Sequence, residues 1–456
     1  MRVKGKEILN FPISEKTKGK FTVDFEINHN KKRFWIDVTE QLLPQFYILK
    51  SLDREKVRAD FLLCIDQNGI PFTLYDCYIF LAKIPDTKIW IEWSRLLYGQ
   101  HIEQDQSEKI KFAEYIIELP GRKATYRSFI GKSHFDIFDG KACISTDWNQ
   151  EGNYFNGVRI CVTCKDELYT LDTMQKIILR LMEIYFLEVG FFAEVLRKRM
   201  ITGTGKEIFY YGNYAAFTRV KERDINLPHV LELKKTIDYS KIFMKWWEIR
   251  EKEVATFNLF AYTVSDSDFI LEVPTATYIQ CLEGYFRTHY TKEMMKFPDE
   301  AKEQFILVLM NCIDEQKELS DIVQRYGLDQ EKIKSSIKGT LGNLNSRSLK
   351  ELLIYAMEYS TETKKLFEYE CATLVNEKNS LWDVFIKKAV GHRNWLSHMG
   401  RKKAQFHDEE IELASSKLKL LFRLVLLKDI GAEITESSIN TVVKRINYWY
   451  RKYTLS

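Results

Sequence analysis

The chain has 456 residues, of which 45% are hydrophobic and 14% aromatic. This length is enough for two or three domains, and the hydrophobic content excludes a disordered protein. Its 68 basic residues nearly balance its 64 acidic ones, which excludes a protein that binds nucleic acid over its whole surface. The cysteines lack a disulfide-framework spacing, and the N-terminus lacks the apolar run of a signal peptide. We therefore expect a cytoplasmic protein that does not bind membranes.

The first half of the chain, residues 1–220, is predicted to form a β-rich domain. Apolar and polar residues alternate over residues 21–27, as in a half-buried strand. Further strands are predicted at 33–38, 61–65, 73–81, 112–119, 158–164 and 207–211. Many short strands with polar connections favour an antiparallel sheet or sandwich over a parallel βαβ fold.

A long helix is predicted over residues 171–199, inside the β-rich half. Its most apolar stretch, residues 177–196, contains Arg180 and three glutamates. Charged residues at this density argue against a membrane-spanning helix and favour a buried amphipathic one.

Residues 221–456 are predicted to be helical, so the fold class is α+β. After Pro274, the apolar residues Tyr278, Leu282 and Tyr285 recur at helical spacing. Further helices are predicted at 300–319, 349–366, 382–398, 409–428 and 437–453, with a loop at 339–348.

One window in this helical region, residues 384–407, contains no aspartate or glutamate. It holds six basic residues: Lys387, Lys388, Arg393, Arg401, Lys402 and Lys403. Such a local excess of positive charge attracts a polyanion, and a phosphodiester backbone is the obvious one. The five residues other than Arg393 are therefore predicted to bind RNA phosphates.

Arg393, Asn394 and His398 are the candidate catalytic residues of this window. Histidine titrates near neutral pH and can transfer a proton, whereas Arg393 carries a permanent charge that could stabilise a phosphorane. On a helix, Asn394 and His398 share a face, so Asn394 could orient the imidazole or bind a phosphate oxygen. The alternative is a solvated basic helix end whose histidine only caps or packs.

Glu283 and His392 are candidates for accessory roles. Glu283 and Arg287 stand four residues apart, which is typical of a surface ion pair on a helix. The alternative is that Glu283 helps to position the site, if its helix lies beside the one that carries Arg393. His392 points about 100° away from Arg393 on a helix, as either a phosphate contact or a bystander.

The pattern Arg393-Asn394-x3-His398 resembles the Arg-x(4–6)-His motif of the HEPN ribonucleases. The earlier segment 278–287, with the sequence YIQCLEGYFR, resembles the first helix of that domain. The order and spacing of the two segments resemble the ApeA-like HEPN proteins of bacterial antiphage defence. The resemblance places the core of the domain at about residues 274–432.

This resemblance implies a metal-independent endoribonuclease in which the ribose 2′-hydroxyl attacks the adjacent phosphate. It implies no cofactor, a homodimer with two copies of the motif facing one cleft, and an abortive-infection role as a toxin. The RNA would be tRNA or another structured RNA, and the N-terminal domain would bind a phage or host trigger. Two alternatives stay open: a non-catalytic module that binds nucleic acid or a nucleotide, and a scaffold that senses a phage or host protein.

No metal site is predicted from the sequence either. Cys161 and Cys164 form the closest cysteine pair, but strand alternation points their sulfur atoms to opposite faces. No second pair stands at a zinc-ligand spacing.

Overall fold

The computed structural model forms two compact units, Met1–Glu248 with Ile430–Thr435 and Ile249–Asp429 with Glu436–Ser456. The described residues are 2–12, 18–28, 33–37, 56–65, 70–81, 88–92, 95–99, 110–120, 134–151, 154–191, 195, 197–212, 230–234, 236–265, 271–290, 292, 298–315, 321–322, 325–327, 329–342, 347–368, 381–397, 406 and 408–454.

The first unit is rich in antiparallel strands, as predicted. The strands in its described residues are β1 (Arg2–Pro12), β2 (Lys18–Asn28), β3 (Arg33–Asp37), β4 (Lys56–Ile65), β5 (Pro71–Leu81), β6 (Lys88–Glu92), β7 (Arg95–Tyr98), β8 (Lys111–Pro120), β9 (His134–Ile137), β10 (Ala142–Glu151), β11 (Tyr154–Cys164), β12 (Tyr169–Thr170), β13 (Arg197–Thr202) and β14 (Glu207–Gly212). β1 and β2 form a hairpin. The others form one sheet in the order β3-β6-β5-β7-β14-β13-β8-β11-β10-β9, with β4 beside β5 and β12 beside β8.

An interior strand of this sheet, β8, pairs antiparallel with both β11 and β13. Its side chains Tyr115, Ile117 and Leu119 are fully buried, and Ile117 lies opposite Ile160 of β11. Aromatic and β-branched residues fit such a pleated, buried surface well. The alternating apolar residues that predicted strands in the sequence are therefore the residues that form the core of this unit.

The helix predicted over residues 171–199 is shorter in the structure. Helix α1 (Leu171–Val189) ends because Gly190 adopts the left-handed conformation (φ 83°) and its N–H donates to the carbonyl of Phe186 at 2.8 Å. Residues 197–202 then form β13. The helical prediction was wrong beyond Val189, because the helix-ending signal at Gly190 outweighs the apolar residues that follow.

Two buried charges of α1 pair with each other inside the unit, as expected for a buried helix. Arg180 donates from Nη1 to both oxygens of Glu183, at 2.9 and 3.0 Å. The indole Nε1 of Trp246 donates to the same carboxylate at 3.0 Å. A buried charge is tolerated when it is paired and hydrogen-bonded in this way. Among the described helices, none is long and apolar enough to span a membrane.

Helices make up the second unit. They are α2 (Tyr239–Lys252), which begins in the first unit, α3 (Ala255–Ser265), α4 (Glu272–His289), α5 (Asp299–Glu315), α6 (Gln330–Gly342), α7 (Leu349–Met357), α8 (Thr361–Leu366), α9 (Leu381–Ser397), α10 (Asp408–Asp429) and α11 (Glu436–Thr454). The α+β fold class is thus confirmed.

Two local predictions in this unit were wrong. The single helix predicted over 349–366 is interrupted, because Ser360 is extended and its hydroxyl caps α8 by accepting from the Thr363 N–H at 3.2 Å. The loop predicted at 339–348 begins later, since Gly339–Gly342 complete α6, a helix that the sequence reading missed.

The core of the second unit surrounds α4. The predicted apolar residues Tyr278, Leu282 and Tyr285 are all buried. Phe422 of α10 makes edge contacts with Phe260 and Tyr285, at centroid distances of 4.7 and 5.8 Å. Because α4 packs against α3, α7, α9 and α10, the position of α4 determines how the helices of this unit meet.

Native thiols allow the burial of α4 to be tested. Burial raises the pKa of Cys281 to about 12, and only the thiolate alkylates rapidly. At pH 8 we expect iodoacetamide to modify the exposed Cys312 of α5 and to leave Cys281 unmodified until the chain is denatured. Peptide mass spectrometry over time measures both sites. Equal rates at Cys281 and Cys312 in the native protein would contradict the packing of α4.

Candidate functional site

Helix α9 carries the described part of the predicted motif. It buries Ile386, Ala389 and His392, which recur every three residues on one face. This face packs against α4 and α7. On the rest of the helix, Lys387 is exposed and Arg393 is partly exposed.

The guanidinium of Arg393 contacts the helix that the sequence resemblance pointed to. Its Nη2 lies 3.2 Å from Oε2 of Glu283 on α4. Its Nη1 donates to Oδ1 of the neighbouring Asn394 at 3.4 Å. The side chains of Arg393 and Glu283 are 29% and 19% exposed, so the pair is accessible from solvent without being fully hydrated. The arginine, the asparagine and the glutamate therefore form one contiguous site.

Glu283 also binds a second arginine. Its other oxygen, Oε1, accepts from Nε and Nη2 of Arg287 at 3.1 and 3.0 Å. Arg287 Nη2 donates in addition to the backbone carbonyl of Arg347 at 3.2 Å. Glu283 thus makes both an ion pair along its own helix and an ion pair to Arg393 on α9. One carboxylate between two guanidinium groups leaves a net charge of +1 on the three side chains.

His392 lies in the core of the second unit. It is fully buried, with its Nε2 at 3.0 Å from the carbonyl oxygen of Glu272. Its ring lies 5.6 Å from the ring of Trp395 and 5.8 Å from that of Phe406. The interpretation of His392 as a phosphate contact is corrected by this burial.

The window of residues 384–407 contains no acidic residue, but acidic side chains from other helices contact it. Glu410 of α10 binds Lys388, with Nζ at 2.5 Å from Oε1, and Glu283 binds Arg393 from α4. Lys388, predicted to bind phosphate, thus already has an anionic partner, whereas Lys387 is exposed. Nothing in the sequence signalled Glu410, because it stands on another helix 22 residues away.

Four of the predicted residues, His398, Arg401, Lys402 and Lys403, lie outside the described residues. The described part of α9 ends at Ser397, one residue before the predicted acid–base histidine.

The described residues offer no group of three histidine, cysteine or acidic side chains that could hold a metal ion. Cys161 and Cys164 have different partners: Cys161 Sγ lies 3.3 Å from the Thr163 hydroxyl, and Cys164 Sγ donates to the Phe112 carbonyl at 3.4 Å. The alternation predicted for these two cysteines matches their separate surroundings.

Residues 276–436 match the model of the family described as Apea-like HEPN. The match begins within α4 and ends at the first residue of α11, so it includes both helices of the candidate site. The predicted resemblance is thereby confirmed. No curated protein and no solved structure matches the chain significantly.

The Glu283 carboxylate gives a direct test of the electrostatics of this site. Glu283→Gln cannot balance two guanidinium groups, so the local charge rises by one. We expect a single-stranded DNA oligonucleotide to bind about two- to tenfold more tightly at low salt, with a steeper salt dependence. Fluorescence anisotropy measures the affinity, and Glu303→Gln, an exposed glutamate of α5, is the matched control. Equal affinities for the two variants would contradict the arrangement.

Proposed function

We propose that the chain, whose residues 276–436 form an Apea-like HEPN domain, is an endoribonuclease that cleaves RNA without a metal ion. The observation that carries this proposal is the geometry of Arg393. Its guanidinium is partly exposed, held by Glu283 and Asn394, and stands five residues before His398. A permanent positive charge and a titratable imidazole are the minimum that phosphodiester cleavage by acid–base catalysis requires.

The proposed reaction uses a nucleophile that the substrate itself supplies. The 2′-oxygen of a ribose loses its proton to a base and attacks the adjacent phosphorus, while the bond to the 5′-oxygen of the next nucleotide breaks. That oxygen takes up a proton, which leaves a 2′,3′-cyclic phosphate and a 5′-hydroxyl. His398 is the assigned proton-transfer residue. Arg393 stabilises the negative charge that develops on the phosphorane oxygens, and Asn394 orients the imidazole or binds a phosphate oxygen.

A single histidine cannot be base and acid at the same moment, which supports a site shared by two chains. One copy of His398 would accept the proton of the 2′-hydroxyl and the other would protonate the leaving oxygen. We therefore propose a homodimer with the two motifs facing one cleft. RNA phosphates would contact the exposed Lys387 together with Arg401, Lys402 and Lys403. We assign Lys388 a smaller share, because Glu410 neutralises it.

The biological setting follows from the family. We propose that the enzyme acts on tRNA or another structured RNA as an abortive-infection effector. The β-rich unit would bind the phage or host component that triggers cleavage.

A second candidate is a module that binds nucleic acid or a nucleotide without cleaving it. The net charge of +1 on Arg393, Glu283 and Arg287 supports this alternative, since binding a phosphate needs positive charge but no proton transfer. The two candidates differ in whether purified protein breaks RNA chains.

Substitution of His398 separates catalysis from affinity. His398→Ala removes the proposed proton-transfer group and leaves the basic side chains in place. We expect single-turnover cleavage of pooled tRNA at saturating protein to fall by about 10²–10⁴-fold, with RNA affinity changed less than about threefold. Denaturing gels and anisotropy measure the two quantities.

The matched control is the pair Lys402→Ala with Lys403→Ala. It should weaken binding and flatten the salt dependence while cleavage at saturation survives. Wild-type cleavage rates in His398→Ala would exclude the proposed mechanism and favour the binding module.

Dilution of the full chain tests the shared site. We expect the specific activity to be constant while mass photometry shows a dimer and to fall in proportion as the dimer dissociates, because each cleft needs two chains. A monomer with undiminished specific activity would rule out the shared cleft.

A further inference from the structure

We infer that His392 is a positioning residue of the proposed site, which holds the motif helix α9 in the orientation that brings Arg393 to Glu283. This inference rests on the proposed function for its kinetic consequence. Its structural content, a hydrogen bond that orients α9 against α4, can be tested separately.

The first observation is the hydrogen bond itself. A carbonyl oxygen only accepts, so the contact of 3.0 Å between His392 Nε2 and the carbonyl of Glu272 requires the proton on Nε2. The other nitrogen, Nδ1, is buried and makes no hydrogen bond with the described residues. His392 therefore binds α4 as a donor through Nε2, and its ring contacts the rings of Trp395 and Phe406.

The second observation is where this bond falls on α4. His392 and Arg393 are adjacent on α9, but their partners Glu272 and Glu283 are eleven residues apart. At 1.5 Å per residue this separation is about 16 Å along α4. Two neighbouring residues thus hold α9 at the beginning of α4 and again in its C-terminal half. A rotation of α9 about its own axis cannot keep both contacts.

Loss of the His392 hydrogen bond is expected to change the position of the Arg393 side chain more than the stability of the fold. A single hydrogen bond contributes little to stability beside the apolar packing of Ile386 and Ala389 on the same face. A displacement of a catalytic group by about 1 Å can nevertheless cost about 10²-fold in rate. The Nε2–H group of His392 therefore helps to set the orientation of the Arg393 guanidinium.

Two substitutions of His392 distinguish the effect of its N–H donor from the effect of its packing. His392→Phe keeps an aromatic ring between Trp395 and Phe406 but removes the N–H. His392→Gln loses the ring but can present an amide N–H to the Glu272 carbonyl. If Phe lowers the melting temperature strongly, His392→Met replaces it, because the flexible thioether fills irregular space.

The test uses the full chain and two measurements. In single-turnover cleavage of pooled tRNA, we expect His392→Phe to lower the saturating rate by about 10- to 100-fold with little change in RNA affinity. His392→Gln should recover most of that loss. Phenylglyoxal modification of Arg393, followed by mass spectrometry, should be faster in His392→Phe than in wild type or His392→Gln.

Each outcome has a defined meaning. Unchanged Arg393 modification in His392→Phe, or equal impairment of the Gln and Phe variants, would overturn the positioning role. If wild type cleaves no RNA but His392→Phe still increases the modification of Arg393, the proposed ribonuclease fails and the inference about His392 stands.

Discussion

The Glu283 carboxylate, held between Arg287 and Arg393, is the interaction on which the candidate site depends. An ion pair of this exposure contributes at most about 1 kcal/mol, so apolar packing must hold α4 and α9 together. The contribution of Glu283 is to orient Arg393: it holds the guanidinium at the edge of the packed helices α4 and α9. With two arginines and one glutamate, the three side chains keep a net positive charge, which suits the proposed RNA substrate.

The C-terminal half of α4, which carries Glu283, is anchored by a second carboxylate. Asp429, the last residue of α10, accepts hydrogen bonds from Tyr285, Tyr290 and Tyr359, the first at 2.5 Å. Burial, together with the nearby Asp429 carboxylate, raises the pKa of Tyr285, so this phenol remains a donor. A raised pKa keeps the Tyr285 phenol protonated, so that it can donate to Asp429 further into the alkaline range. The ends of α4 and α10 are thereby held in fixed relation, which stabilises the surface on which α9 packs.

Sequence periodicity predicted the elements that matter for the site. The alternation in the first unit, the buried face of α4 and the helix bearing Arg393 were all recognised, because each is a local pattern. The ion pair of Lys388 with Glu410 was not, since it joins two helices and leaves no spacing in the sequence. The interpretation of His392 as a phosphate contact failed for a related reason: a polar residue in a basic window suggests a surface, but His392 and Ala389 on the same helix face are buried. Local capping, at Gly190 and Ser360, decided where predicted helices end.

The proposed chemistry is tested most directly by the ends of the RNA fragments that the purified protein produces in the presence of EDTA. The Arg393→Ala, His398→Ala double variant serves as the background. Attack by the 2′-hydroxyl predicts fragments that end in a 2′,3′-cyclic phosphate and begin with a 5′-hydroxyl, seen by mass spectrometry with wild type and not with the double variant. Fragments with 3′-hydroxyl and 5′-phosphate ends, cleavage that stops in EDTA, or equal cleavage by the double variant would contradict the proposed mechanism.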